Sequence, residues 1–186
     1  MPPMPPVSEV RLVREHEIGA VRELVRDAYA GDFELNPAYL AEIERVAERA
    51  LTAEVWVAAD ASTGTLLGSV TTPRAGARLS PVARHDDELD FRFLGVAADA
   101  RGRGVGETLV RHVLALAASR GIRRVVLNTG PEMRSAQRLY ERLGFARLPE
   151  REYRFERADG TSFLMMAYGR EVVRRAPDAS ASASVA

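Results

Sequence analysis

The sequence predicts one α+β domain built on a mixed sheet, spanning about residues 9–172. Three observations predict it. Apolar residues recur at spacings of three and four in four segments, within residues 18–28, 39–47, 105–117 and 133–143. Short alternating or continuously apolar runs, of strand length, lie between them. The two kinds of segment are interspersed, with no internal repeat and no second set of apolar segments to form another core.

The elements follow in order. Glu9–Arg14 sets Val10 and Leu12 against charged neighbours, a short strand. Ile18, Val21, Leu24, Val25 and Ala28 form one helical face, which Gly31 stops. Asn36-Pro37 supplies a cap and a proline at the first helical position, opening a helix that carries Tyr39, Leu40, Ile43, Val46 and Ala47. Val55–Ala58 and Leu66–Val70 flank the turn Asp60–Gly64 as a hairpin, with Trp56 in its core. Thr72–Asp87 has no period and reads as a long loop, a length often tied to function. Leu89–Val96 reads as one strand. After a glycine-rich turn, Val105, Leu109, Val110, Val113, Leu114 and Ala117 share a helical face that runs to Gly121. Val125–Leu127 is an apolar strand buried on both sides. Met133, Ala136, Leu139, Tyr140 and Leu143 make the last helical stripe, closed by Gly144. Tyr153–Phe155 and Phe163–Tyr168 form a final hairpin through Asp159-Gly160.

Composition removes several kinds of chemistry. Of 186 residues, 46% are hydrophobic and 28% charged, as in a globular domain. Twenty-six basic residues balance twenty-six acidic ones, so no net field favours nucleic acid or an anionic membrane. All the basic residues are arginine; the chain has neither lysine nor cysteine. A lysine Schiff base, a lysine-bearing phosphate loop, disulfides, thiolate metal sites and a cysteine nucleophile are therefore excluded. His16, His85 and His112 lack ligand spacing, and no metal is expected. No apolar run approaches the roughly 20 residues of a membrane-spanning helix, and Met1–Pro6 lacks the pattern of a secretory signal. The expectation is a cytoplasmic protein with a flexible tail over residues 1–8 and a disordered one over 173–186.

The chemistry concentrates where a strand becomes a helix, at Leu94-Gly95-Val96 and Arg101-Gly102-Arg103-Gly104-Val105-Gly106-Glu107. Glycines let backbone amides crowd inward, and a helix start adds unpaired donors and partial positive charge, a good phosphate site. Glu107 stands where a dinucleotide fingerprint needs glycine. Arg-x-x-Gly-x-Gly here resembles the acyl-CoA pyrophosphate loop of the GCN5-related N-acetyltransferase family. Downstream, Ala136-Gln137-Arg138-Leu139-Tyr140-Glu141-Arg142-Leu143-Gly144-Phe145 resembles that family's Ala-x-x-Leu-Tyr-x-x-x-Gly-Phe helix, and the order of elements matches over most of residues 9–172.

The resemblance implies a three-layer αβα fold. Its central sheet is mixed and mostly antiparallel, with about seven strands and a splay between the two middle ones. It implies acetyl-CoA as co-substrate, with no metal, and direct acetyl transfer to a primary amine in a ternary complex. The pantetheine arm would pair with Leu94-Gly95-Val96, an amide near Leu94 would hold the thioester oxygen, and residues 101–107 would grip the pyrophosphate. Tyr140 matches the general acid; by its stripe alone it is equally a core residue. Asp90 has the strand parity of Arg92, Leu94 and Val96 and is the candidate proton relay, with Glu88 one step further; both also suit a solvated acidic strand end. Asn128 stands where relatives that act on protein N-termini often carry a glutamate base. It is a candidate for bonding pantetheine or amine, or a strand cap. Met133 replaces an asparagine of the family pattern. Arg138 is a weaker candidate for the cofactor's 3′-phosphate. The acceptor is expected to be a small molecule, because no basic or aromatic groove for a polymer is visible. A protein or peptide acceptor, or a non-catalytic acyl-CoA-binding module, stand as alternatives. Homodimers are common in the family and are an expectation here.

Overall fold

A computed structural model describes residues 8–30, 37–157 and 159–172. The expectations for the two tails, and the stop at Gly31 and the cap at Asn36, lie outside the described residues except at Ser8. Strands are β1 (Ser8–Leu12), β2 (Ala53–Asp60), β3 (Leu66–Pro73), β4 (Glu88–Asp90), β5 (Arg92–Val96), β6 (Arg124–Thr129), β7 (Ala146–Arg147), β8 (Tyr153–Glu156) and β9 (Ser162–Glu171). Helices are α1 (Ile18–Ala30), α2 (Pro37–Glu44), α3 (Val46–Thr52), α4 (Val105–Ser119) and α5 (Arg134–Arg142).

The strands form two sheets. One has the antiparallel order β1-β2-β3-β5; the other runs β4-β6-β9-β7, with β8 also on β9. β4 pairs parallel with β6, and the remaining pairs of the second sheet are antiparallel. Alternation along β2 places the layers. Val55 and Val57 pack with α1, α2 and α3 on one face, whereas Trp56 and Ala58 join α4 and α5 on the other. On the second sheet, Val82 and Ala83 of the long loop pack on Val126 and Ala167, so a loop takes the place of a helix layer there.

Two expected elements are each divided in two. The stripe over residues 39–47 crosses a break at Arg45, whose φ of −74° and ψ of 48° leave the helix. Ile43 and Val46 still bury into one core, so periodicity alone does not reveal the break. Arg49 holds it, donating to the carbonyls of Glu42 and Ile43 at 2.6 and 2.7 Å, near the α2 C-terminus. The single strand expected over Leu89–Val96 is β4 and β5, each in a different sheet. Helix α4 runs as expected, with Leu109, Val110 and Val113 fully buried. Trp56 is half-buried; its Nε1 donates to Thr72 Oγ1 at 2.8 Å, and its ring centroid lies 4.3 Å from that of His112.

Candidate active site

The division at residue 91 builds the site. Ser69 pairs with Gly95 and Thr71 with Arg92, so two steps along β3 face three along β5, a β-bulge. Its extra residue is Phe93, the one non-glycine residue with positive φ (55°) among those described. The bulge reverses the alternation. Leu89 and Phe91 join the α4–α5 core, as do Leu94 and Val96, while Phe93 packs against α1–α3. Asp90 therefore does not share a face with Leu94, as strict alternation would have it. Asp90 turns to the long loop, where its carboxylate accepts from the Leu79 amide (3.0 and 3.1 Å) and Ser80 Oγ (2.9 Å). Burial raises its pKa despite these donors. Glu88 is no solvated strand end either. It accepts from the amides of Arg84 and His85 and is forked by Arg151 at 2.7 and 2.9 Å. Burial would raise the Glu88 pKa, but Arg151 and the two amides overcome that and hold it at about 2.

Beyond the bulge, β5 and β6 diverge. Ala97 N donates to Leu67 O and Gly95 pairs with Ser69, which turns the amides and carbonyls of Leu94 and Val96 away from β3 into the gap. Across it, Asn128 is half-buried and gives one amide proton to Met166 O at 3.2 Å, a structural bond consistent with the strand-cap alternative.

At the open end of β5 the chain enters the glycine loop. Gly102 and Gly104 have φ of 74° and 80°, which only glycine adopts without strain, and Gly104 caps α4. The amides of Gly102, Gly104, Val105, Gly106 and Glu107 have no acceptor among the described residues; the first bond into the helix is Thr108 N to Gly104 O. A Cβ on Gly106 would lie 3.3 Å from Leu139, so this glycine lets α5 approach the α4 start. Arg101 donates to Ala28 O at 3.3 Å, and Arg103 lies 3.8 Å from Asp60. Arg138 is exposed and bonds Ser135.

Tyr140 stands on α5 with its ring 5.9 Å from Phe91, edge-on, where β4 and β5 part. It is 5% exposed, yet its hydroxyl is not among the sealed polar atoms without a partner: Arg49 Nε, His112 Nε2 and Thr129 Oγ1. Burial raises the Tyr140 pKa far above the usual phenol value, helped by nearby Tyr39. From the other layer come Tyr29, Tyr39, Glu42, Arg49 and Arg92. Tyr29 is close enough to Tyr39 and Tyr140 to be raised by them, after burial, and to Arg92 and Arg49 to be lowered. Arg92 bonds Glu42 at 2.9 Å, and its charge opposes the burial that raises the Tyr39 pKa. Periodicity assigns Tyr39 to a helical stripe and Arg92 to the face of Leu94, and singles out none of Tyr29, Glu42, Arg49 and Phe93. Tyr39 sits in an apolar stripe, and nothing in a periodicity announces a bulge. Met133 packs against the α1–α3 core. Among the described residues no three His, Asp or Glu converge as metal ligands.

A mixed sheet splayed at a bulge, with an amide-rich glycine loop at its open end, defines the class of acyl-CoA N-acyltransferase folds. The chain belongs to the acetyltransferase (GNAT) family, whose model matches residues 18–145. It is 40% identical over 85 residues to mycothiol acetyltransferase of Cellulomonas flavigena, covering 45% of this chain and 24% of that one. It is 34% identical over 110 residues to glucosamine 6-phosphate N-acetyltransferase 1 of Oryza sativa subsp. japonica, covering 58% and 62%. The chain thus spans under two thirds of either relative. Among solved structures, a GCN5-related N-acetyltransferase from Kribbella flavida superposes with a TM-score of 0.66 at 22% identity, over 90% of this chain and 99% of that one, a likeness of fold.

Proposed function

We propose that residues 9–172 form a transferase domain that moves an acetyl group from acetyl-CoA directly to the primary amine of a small molecule, in a ternary complex. The observation that carries this is continuity. Five amides of the glycine loop and the start of α4, without acceptors among the described residues, lead along the outward-facing backbone of Leu94 and Val96 to the point where Tyr140 meets Phe91. The amides suit a diphosphate, the strand edge suits the amide-bearing arm, and the Leu94 amide suits the developing oxyanion.

Protons balance within such a site. The attacking amine must lose one proton and the departing thiolate must gain one, so a single phenol can give to sulfur and be refilled from nitrogen. A phenol with a raised pKa is a weaker acid than a thiol near 8.5, so Tyr140 gives its proton to the departing sulfur only in concert with taking one from the amine, and ends neutral as it began. Asp90 and Glu88 are engaged in holding the loop, so a relay through either has no support from their contacts. A small acceptor agrees with relatives named for mycothiol and glucosamine 6-phosphate.

The test is thiol release from acetyl-CoA across a panel of primary amines, beside calorimetric titration with CoA. Turnover on a small amine with measurable CoA binding is expected. CoA binding without turnover on any amine would leave a binding module, and no binding would end the proposal.

A further inference from the structure

Arg49 and Arg92 both lie over the ring of Phe93, at 4.1 and 4.6 Å from its centroid. Among the described residues, Glu42 is the one carboxylate bonded to the pair, through Arg92. Among the described residues one carboxylate thus serves two guanidinium groups, and both sit partly desolvated, where a charge is costly unless matched. Arg49 cannot relieve this by losing its proton at neutral pH. Burial first, and Arg92 next to it, bring its pKa down only to about 10. Its two terminal nitrogens hold the α2 carbonyls, and its Nε is sealed without a partner. Arg49 is thus committed to the α2 C-terminus and to the Phe93 ring, and it adds its charge behind Arg92.

Arg92 is the member that a ligand can reach. Its side chain is 32% exposed and that of Glu42 45%. A guanidinium has five donors in a planar fork suited to a carboxylate or phosphate. The pair also belongs to the acceptor side of the gap. Arg92 is two residues from Leu94, whose backbone faces the gap, and it shares the neighbourhood of Tyr29 with Tyr140.

We infer that the acceptor is an amine bearing an anionic oxygen group, carboxylate or phosphate, on the same small molecule, and that Arg92, with Arg49 behind it on the Phe93 ring, binds that group. The inference rests on the transferase reading above and assigns its substrate class.

Matched pairs test it: amino acids against their carboxamides, and ethanolamine phosphate against ethanolamine, assayed by thiol release. The expected result is a kcat/KM at least about tenfold higher for the anionic member of one pair, the two arms separating carboxylate from phosphate. In Arg92→Gln that preference should fall to less than about threefold, and Arg92→Lys, a charge without the fork, should restore part of it. Equal or better use of the neutral members by the wild-type protein would overturn the inference, and so would an unchanged preference in a folded Arg92→Gln. Should no amine turn over, the transferase reading fails and the anion site is read separately. Calorimetry with N-acetylglycine against N-acetylglycinamide, in the presence of CoA, then decides: heat selective for the carboxylate and lost in Arg92→Gln supports the site, and no selective heat overturns it.

Discussion

Arg92 and Phe93 are neighbours on β5, and the guanidinium of the first stands 4.6 Å from the ring centroid of the second. Adjacent residues of a regular strand point to opposite faces. The positive φ of Phe93 puts both on the α1–α3 side and returns Leu94 to the α4–α5 side. Removing this ring should be costly: Phe93→Ala is expected to lose about 3–5 kcal/mol in urea unfolding. Phe93→Gly should lose less than Phe93→Ala, the reverse of the usual strand order, because a non-glycine residue in the left-handed region costs about 1–2 kcal/mol. A glycine variant less stable than the alanine one would mean the bulge is unstrained.

Gly104→Ala meets no steric obstacle but imposes a side chain on φ of 80°. A stability loss of about 1–2 kcal/mol is expected. Tilting the Val105–Glu107 amides should weaken CoA binding about tenfold, read by calorimetry. Unaltered CoA affinity would separate the loop from the cofactor.

Tyr140→Phe distinguishes an acid from a core residue. Its hydroxyl makes no hydrogen bond to another described residue and is not sealed from solvent, so the variant should unfold at the same denaturant concentration or slightly higher. Its kcat should fall about 10²–10⁴-fold with little change in KM for acetyl-CoA. Because burial raises this phenol, it stays protonated to at least about pH 10, and any alkaline limb below that belongs to another group.

The buried pair of Glu88 and Arg151 predicts an acid dependence of stability. The folded pKa of Glu88 is depressed to about 2, below the unfolded value of 4.5. Its contribution is therefore full above about pH 5 and is lost as pH falls toward 2. Glu88→Gln, which removes the buried carboxylate facing Arg151, should cost about 3–5 kcal/mol at pH 7 and much less near pH 2. Denaturant melts across that range check both numbers.

Asp90→Asn should keep the acidic limb of the pH–rate profile, since the carboxylate serves the loop. Asp90→Ala, by orphaning the Leu79 amide and Ser80 hydroxyl, should cost about 1–3 kcal/mol of stability. Loss of the limb in Asp90→Asn would restore a relay.

What was legible beforehand followed from period and turn chemistry. Helices α1, α4 and α5, the two hairpins and the glycine loop were readable because each is set by residues close in sequence. The departures depend on tertiary partners. A one-residue insertion at Phe93 is invisible in a run such as Leu89–Val96, where every residue suits a strand. Arg45 breaks a helix without breaking its stripe. The two residues of β7, both exposed, carry no pattern. In the site, motif positions such as Gly104 and Tyr140 could be singled out in advance. Arg49, Arg92 and Glu42 could not, because α2, α3 and β5 meet only in the fold.

Among the described residues no strand pairing joins the two sheets, and past Phe91 β5 and β6 run side by side without a ladder. A ligand lying along Leu94 and Val96 would act as the absent rung between them, so occupancy and cohesion are thermodynamically linked. The melting temperature should therefore keep rising with the logarithm of cofactor concentration well past saturation.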